Sequence, residues 1–145
     1  MQRAVRGAPA ARRLRAWALA AAPAGSDVTL RVAGAAESRR LNRAYRGRDY
    51  ATNVLSFAYA PARSTVRSAR FAPVRGDIVL CHPVIRREAR AQRKALAAHY
   101  AHLVVHGMLH LRGMDHARAR DAAGMERAEI RVLRRLGFAD PYAVK

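Results

Sequence analysis

The sequence predicts one domain, residues 1–145, of mixed helix and strand structure (α+β or α/β), with a small mixed β-sheet packed against several helices. The chain has 145 residues, of which 51% are hydrophobic, and this suits one core. Segments with strand character lie mostly in the first half, whereas helical stripes dominate the second half. Strands followed by helices favour a small mixed sheet with the helices against it.

The first predicted helix covers Pro9–Ala22, where Leu14 and Trp17 share one stripe and are expected to pack on the core. Paired arginines and an alanine-rich stretch give this segment a superficial likeness to an export signal. Arg15 interrupts the apolar run, however, so we favour an amphipathic helix that packs on the core.

The next segments alternate between strand and helix patterns. Apolar and polar residues alternate in Val28–Val32, which is typical of a half-buried strand, and Ala35–Tyr45 reads as a short helix. A turn at Arg46–Asp49 leads to a second strand over Asn53–Tyr59, which is rich in β-formers. Ala60–Arg75 has no clear period and is predicted to be a mobile basic loop.

The second half begins with Ile78–Cys81, a continuous apolar run of the kind found in buried strands. Pro83 suits the first turn of a helix that is predicted to continue to Ala98. Two further helices are predicted over His99–Leu111 and Arg118–Leu136, and Gly137 is expected to cap the last one.

The charge balance points to a polyanionic partner. Lys and Arg number 28 against 10 Asp and Glu, which gives a formal charge of +18. A domain this basic favours nucleic acid, because each neutralised phosphate releases a counterion. High arginine usage in the lineage is the competing explanation, and a membrane partner is disfavoured because no basic run adjoins an apolar span. Cys81 is the only cysteine, which excludes an internal disulfide and agrees with a reducing cytoplasm.

The stretch HGMLHLRGMDH holds three of the six histidines. His106 and His110 are four residues apart on a predicted helix, so both rings leave the same face and can reach one metal ion. Gly113 is expected to stop the helix with a positive φ and to return His116 as a third ligand. The spacing is that of metzincin zinc peptidases, so it predicts a zincin-like helix that binds one Zn²⁺ and leaves a position for water.

One residue departs from the peptidase motif. Those enzymes have a glutamate after the first histidine as general base, and here that position is Gly107. A metallopeptidase is therefore disfavoured. Asp115 is a candidate catalytic residue that orients a ligand or the bound water, or else a turn or cap residue. His99 and His102 extend the same face and are either partners of the ligating imidazoles or ordinary solvated or core histidines.

The stretch LNRAYRGRDYATNVLSF joins a predicted helix to a strand through a turn that contains Arg46. An arginine at such a turn projects into a cleft, and its guanidinium matches phosphate geometry. Together with GDIVLC and HGMLHLRGMDH, in this order and at this spacing, the stretch resembles the YbeY family. These are bacterial rRNA maturation factors that are described as zinc-dependent endoribonucleases.

The resemblance implies a metal tripod of His106, His110 and His116, and a functional arginine at Arg46. We take Arg46 as catalytic and, with Arg48, as substrate-binding. The implied function is single-strand-specific cleavage in 3′-end maturation of small-subunit rRNA and in ribosome quality control, in the cytoplasm. The partners would be precursor rRNA, the small ribosomal subunit and its associated proteins.

A non-catalytic reading stays open. The protein would then be a ribosome assembly factor whose zinc is structural and whose charge docks it on rRNA. A closed structural site normally has four protein ligands, and the motif supplies three. In the catalytic interpretation, the nucleophile is either water or the 2′-hydroxyl of the RNA itself.

Overall fold

The computed structural model describes residues 6–59, 73–114 and 119–143. Within these ranges the chain forms five helices around a three-stranded sheet. In chain order the elements are α1 (Ala11–Ala21), β1 (Asp27–Ala33), α2 (Ala35–Arg46), β2 (Val54–Ala58), β3 (Arg75–Cys81), α3 (His82–Ala91), α4 (Leu96–Leu111) and α5 (Ala119–Arg135). The predicted mixture of a small sheet and several helices is confirmed.

The sheet is mixed, as predicted. Its order is β1-β3-β2, with β1 parallel and β2 antiparallel to the central strand β3. Ile78 of β3 lies between Leu30 of β1 and Ser56 of β2 in the register. The continuous apolar run of β3 follows from this position, because a central strand is covered on both faces.

Helix α4 lies against the sheet and is covered in turn by α1 and α5. Trp17 of α1 is buried in this main core and makes an edge-to-face contact with Phe138, with ring centroids 5.7 Å apart. The predicted packing of the first helix is therefore confirmed. A smaller apolar cluster around Leu55 and Val79 lies on the other face, where Leu41 of α2 covers it. Neither α4 nor any other helix in the described ranges has the length and apolarity that a bilayer crossing requires.

The boundary between α3 and α4 was wrongly predicted. Helix α3 ends at Ala91 and does not continue to Ala98, and α4 begins at Leu96 and not at His99. The chain reverses at Arg93, whose φ of +55° is left-handed although the residue is not glycine. The residue type at this position does not predict a turn, because arginine rarely adopts a left-handed conformation. As a consequence α4 has 16 residues and carries four histidines, His99, His102, His106 and His110.

The other boundaries differ by at most three residues, and two of these differences concern the surroundings of the site. Strand β3 begins at Arg75, three residues before the predicted Ile78, because its first residues pair with the ends of β1 and β2. Arg46 belongs to the last turn of α2 and not to the following turn. Most of the predicted basic loop, residues 60–72, lies outside the described residues.

Candidate metal centre and cleft

Helix α4 presents His106 and His110 on one face, as their spacing predicts. Their ring centroids are 5.3 Å apart. Two imidazoles that share one tetrahedral zinc at a Zn–N distance of about 2.0–2.1 Å place their centroids about 5 Å apart. The pair therefore fits a common metal ion, and neutral imidazole nitrogen is a donor that zinc prefers.

The turn after α4 is also as predicted. Gly113 has a φ of +89°, and its backbone N–H donates to the carbonyl of His110 at 2.9 Å. Asp115 and His116 lie outside the described residues, so the third ligand and the acidic residue stay predictions. Within the described ranges, no group of three or more His, Cys, Asp or Glu side chains is arranged to hold a metal ion.

His106 has a carboxylate partner that sequence reasoning missed. Its Nδ1 lies 2.5 Å from Oε2 of Glu129 on α5, and the Glu129 side chain is fully buried. An ionised carboxylate only accepts hydrogen bonds, so the proton lies on Nδ1 and the lone pair on Nε2. Metal-ligating histidines are held in this way by a carboxylate on the other ring nitrogen.

Glu129 accepts two further hydrogen bonds, from Nε2 of His102 at 3.1 Å and from the hydroxyl of Tyr142. Burial by itself raises the pKa of Glu129, but the hydrogen bonds from His102, His106 and Tyr142 outweigh it and lower the pKa to about 2. The carboxylate therefore stays ionised at neutral pH and keeps its role as an acceptor.

A signal for Glu129 was present in the sequence. It lies four residues after Met125 and three before Val132, so helical spacing places it on one stripe with these two buried residues. A carboxylate on a buried stripe needs hydrogen-bond donors, since an unpaired buried charge is very costly. The interior histidines of the neighbouring helix were the available donors.

The two other histidines of α4 divide between the alternatives. His102 reaches His106 through the shared carboxylate of Glu129, so it belongs to the support of the pair. His99 lies apart and contacts Oε1 of Glu88 on α3 at 2.9 Å, where Asn53, which immediately precedes β2, also donates at 3.0 Å. Burial lowers the pKa of His99, and Glu88 opposes this shift. The cluster of His99, Glu88 and Asn53 thus connects α4, α3 and the residue before β2.

Arg46 opens into the same cleft as the histidine pair. The cleft has a volume of about 410 Å³ and lies between the end of α2, strand β2 and the second half of α4. Its lining is formed by Tyr45, Arg46, Thr52, Asn53, Val54, Leu55, Ser56, Phe57, His106 and His110. No carboxylate is among these described lining residues, so the cleft suits an anionic group such as phosphate.

The segment after Arg46 is held by buried polar side chains of α2. Ser38 exchanges two hydrogen bonds with the backbone of Thr52, at 2.9 and 3.0 Å, and Asn42 donates to the carbonyl of Tyr50 at 2.9 Å. Ser38 and Asn42 are both buried although polar. These contacts fix the wall of the cleft relative to the helix that carries Arg46.

Arg48 is not among the residues that line the cleft. Its guanidinium donates to the hydroxyl of Tyr50 at 3.3 Å on the exposed side of the segment. Its assignment as a substrate-binding residue therefore stays a prediction, and a contact would have to come from nucleic acid that extends beyond the cleft.

The edge of strand β2 that faces away from β3 lies at the cleft. The carbonyl of Asn53 accepts from the N–H of Cys81, and the N–H of Tyr59 donates to the carbonyl of Arg75. Because antiparallel pairing alternates, residues 54, 56 and 58 direct their backbone groups away from β3. This explains why six consecutive residues, 52–57, line the cleft.

Gly107 faces the sheet at the point where α4 crosses β2. A Cβ atom there would lie 3.0 Å from Oγ of Ser56 and 3.1 Å from Cδ1 of Ile78. The carbonyl of Gly107 accepts from the Ser56 hydroxyl at 3.3 Å. A side chain at position 107 would therefore press on Ser56 and Ile78, which would have to shift by a few tenths of an ångström to accept it.

Fold and cleft together define a small α+β protein that presents paired imidazoles and a guanidinium to one cleft. A carboxylate buried behind the helix holds one of the imidazoles in a single tautomer.

The chain belongs to the Endoribonuclease YbeY family, whose model matches residues 11–137. It is 52% identical over 136 residues to an endoribonuclease YbeY of Azoarcus sp., which covers 94% of this chain and 54% of that protein. It is 53% identical over 135 residues to an endoribonuclease YbeY of Aromatoleum aromaticum, which covers 93% of this chain and 82% of that protein. The chain thus spans about half the length of the first relative and most of the second.

A structural comparison supports the fold independently. The solution structure of TM1509 from Thermotoga maritima matches 92% of this chain and 88% of its own, with a TM-score of 0.52. The two sequences are 21% identical, so this likeness shows the fold alone. The predicted resemblance to the family and the predicted fold class are both confirmed.

Proposed function

We propose that this protein is a zinc-dependent endoribonuclease that cuts unpaired RNA. Its role would lie in 3′-end maturation of small-subunit rRNA and in ribosome quality control, in the cytoplasm. The observation that carries the proposal is the shared cleft of Arg46, His106 and His110. The relatives that are 52% and 53% identical in sequence to this chain are named endoribonucleases, and this supports the same activity here.

One zinc ion would be held by His106, His110 and His116. The 5.3 Å separation of the first two rings and the carboxylate on Nδ1 of His106 support this assignment. When bound, zinc supplies Lewis acidity and makes hydroxide available from water near neutral pH. Asp115 would orient a ligand or the water from its place beside His116.

The protein residues supply binding and orientation. Arg46 binds the non-bridging oxygens of the scissile phosphate and stabilises the charge that builds on them. Glu129 keeps the lone pair of His106 on Nε2 throughout, because its buried carboxylate accepts the Nδ1 proton. Neither role requires a general base at position 107.

The volume of the cleft and the net charge of the protein support single-stranded RNA as the substrate. A volume of about 410 Å³ is that of a small-molecule pocket, so it admits about one nucleotide and not a duplex. The formal charge of +18 favours contacts to flanking phosphates. Precursor rRNA, the small ribosomal subunit and its associated proteins would be the partners.

The test is cleavage of an unpaired RNA oligonucleotide by highly purified full chain, with and without a chelator. We expect His110→Ala to lose both bound zinc and cleavage. Full cleavage by His110→Ala would assign the activity to a contaminating nuclease and would favour a non-catalytic assembly factor. Product ends identify the nucleophile, because a 2′,3′-cyclic phosphate excludes direct attack by water.

The role of Arg46 has a matched control on the same helix. We expect Arg46→Ala to bind zinc normally and to cleave about 10²- to 10³-fold more slowly, as for loss of a transition-state donor. Arg40 is exposed on α2 and outside the cleft, so Arg40→Ala should stay near the wild-type rate. An Arg46→Ala protein with zinc and full rate would remove Arg46 from the mechanism.

A further inference from the structure

Tyr45 is the most exposed large apolar side chain in the described part of the chain. Its exposed fraction is 69%, although it precedes Arg46 in α2 and lines the same cleft as the histidine pair. A tyrosine leaves this much ring in water only at a cost in unburied apolar surface. The ring does not pack in the hydrophobic core, so it is available for contact with a ligand.

The ring of Tyr45 is nevertheless held in place. It makes an edge-to-face contact with Phe57 of β2, with centroids 5.0 Å apart and an interplanar angle of 61°. One edge-to-face contact covers at most one of the two faces of the Tyr45 ring, so Phe57 leaves at least one π-face of Tyr45 uncovered. Tyr45 is therefore a braced aromatic surface and not a loose side chain.

The surroundings select the kind of ligand. Arg46 follows directly in sequence, and the described lining of the cleft contains no carboxylate. A guanidinium binds phosphate, and an exposed aromatic face stacks on nucleobases. Side by side, these two groups match the two parts of a single nucleotide.

We propose that Tyr45, braced by Phe57, stacks one unpaired nucleobase of the RNA whose phosphate Arg46 holds. This inference rests on the proposed function and adds to it a base-stacking subsite beside the scissile phosphate. Stacking tolerates any base but requires one that is unpaired, because a paired base has no free face. The subsite thus gives a physical origin for preference for single strands.

The experiment uses the zinc-loaded full chain and short unpaired RNAs that carry one fluorescent 2-aminopurine. Protein and RNA are mixed rapidly, so that binding is measured before cleavage occurs. A matched series of RNAs replaces one base at a time by an abasic nucleotide. We expect Tyr45→Ala to weaken binding about 5- to 150-fold, the range for loss of one stacked base. Tyr45→Phe, which keeps the ring, should bind like the wild type.

The decisive result is whether the affinity lost in Tyr45→Ala depends on the base at one particular position of the RNA. In the wild type, one abasic position should cost as much affinity as Tyr45→Ala does, and at that position the variant should show no further loss. Tyr59 is the matched control, since it is 61% exposed just after strand β2 but outside the cleft. Tyr59→Ala should leave the positional pattern unchanged.

Equal losses for Tyr45→Ala at every abasic position, or no loss at all, would overturn the stacking proposal. A loss restricted to a peptide or protein ligand, with RNA binding unchanged, would overturn it too and would assign the aromatic surface to a protein partner. These failures are separable from failure of the nuclease, because His110→Ala tests cleavage without touching Tyr45. A protein that stacks the base but never cleaves RNA would leave the subsite standing and remove the proposed activity.

Discussion

Two histidines of α4 each pair with a glutamate of a neighbouring helix, and the two pairs differ in which partner is buried. In the pair of His99 and Glu88 the imidazole is 4% exposed and the carboxylate is 31% exposed. In the pair of His106 and Glu129 the carboxylate is fully buried and the imidazole, at 23%, opens to the cleft. The first pair holds elements together, whereas the second directs a ring outward.

The difference shows that residue types alone do not define a candidate metal ligand. His99 is absent from the described lining of the cleft, its Nε2 contacts Glu88 and its Nδ1 is buried, so neither ring nitrogen reaches a ligand in the cleft. His106 uses Nδ1 for a buried carboxylate and thereby keeps the Nε2 lone pair defined. What distinguishes the pairs is the side of the helix from which the carboxylate approaches.

The largest contrast is expected for removal of each imidazole. His106→Ala should lower zinc affinity by more than the roughly 10- to 100-fold that loss of a mere partner of a ligand causes. His99→Ala should leave zinc affinity unchanged and only destabilise the fold. Competition with a chromophoric chelator measures both, and equal zinc affinities for the two variants would contradict the assignment.

The carboxylates should show a smaller contrast of the same sign. Glu129→Gln should lower zinc affinity about 10- to 100-fold, because the orienting acceptor is lost. Glu88→Gln should change it less than about 3-fold, since its histidine does not face the cleft. Partial recovery in Glu129→Asp, with the carboxylate retained, would separate orientation from general loss of folding. A Glu88→Gln effect as large as that of Glu129→Gln would show that the pairs are equivalent.

Acid should affect the Glu129 pair selectively in the metal-free protein. Against burial, which raises it, hydrogen bonds lower the pKa of Glu129 from 4.5 to about 2 in the folded state. This pair therefore stabilises the fold fully above about pH 4.5, and the contribution, on the order of 2 kcal/mol, is lost as the pH falls towards 2.

The measurement is the free energy of unfolding in urea at about pH 5 and about pH 3. Glu129→Gln should flatten the decrease between these values, and Glu88→Gln should retain the wild-type decrease. If Glu129→Gln lost stability with acid as steeply as the wild type, the depressed pKa of Glu129 would not be its cause.

The smallest effect is expected on stability from the structural pair. Glu88→Gln weakens hydrogen bonds from both His99 and Asn53, so the free energy of unfolding at neutral pH should fall by about 1 kcal/mol. Equilibrium denaturation in urea measures it. Arg87→Gln on the exposed face of α3 is a suitable control. If Arg87→Gln lost as much unfolding free energy as Glu88→Gln, the cluster of His99, Glu88 and Asn53 would not be what stabilises the contact between these elements.

Local patterns predicted the parts of the site that depend on spacing. The i, i+4 relation of His106 and His110 places both rings on one face in any regular helix, and Gly113 supplies the turn that its lack of a side chain permits. The stripe on α1 likewise predicted the burial of Trp17. These features require only a few consecutive residues.

The missed features depend on distant parts of the chain. Glu129 meets His106 across 23 positions, and no periodicity specifies which donor a buried carboxylate will find. The turn at Arg93 was missed because the left-handed conformation is carried there by a residue that rarely adopts it. The exposure of Tyr45 also depends on the fold, because no local pattern specifies which side of α2 faces the cleft.

The measurement that tests the central claim most directly is a zinc titration of RNA cleavage by the chelator-stripped full chain. The account predicts no cleavage without metal and a rate that rises linearly and saturates at one zinc per chain. A cleavage rate that is independent of added zinc, or a chain that binds no zinc, would contradict it.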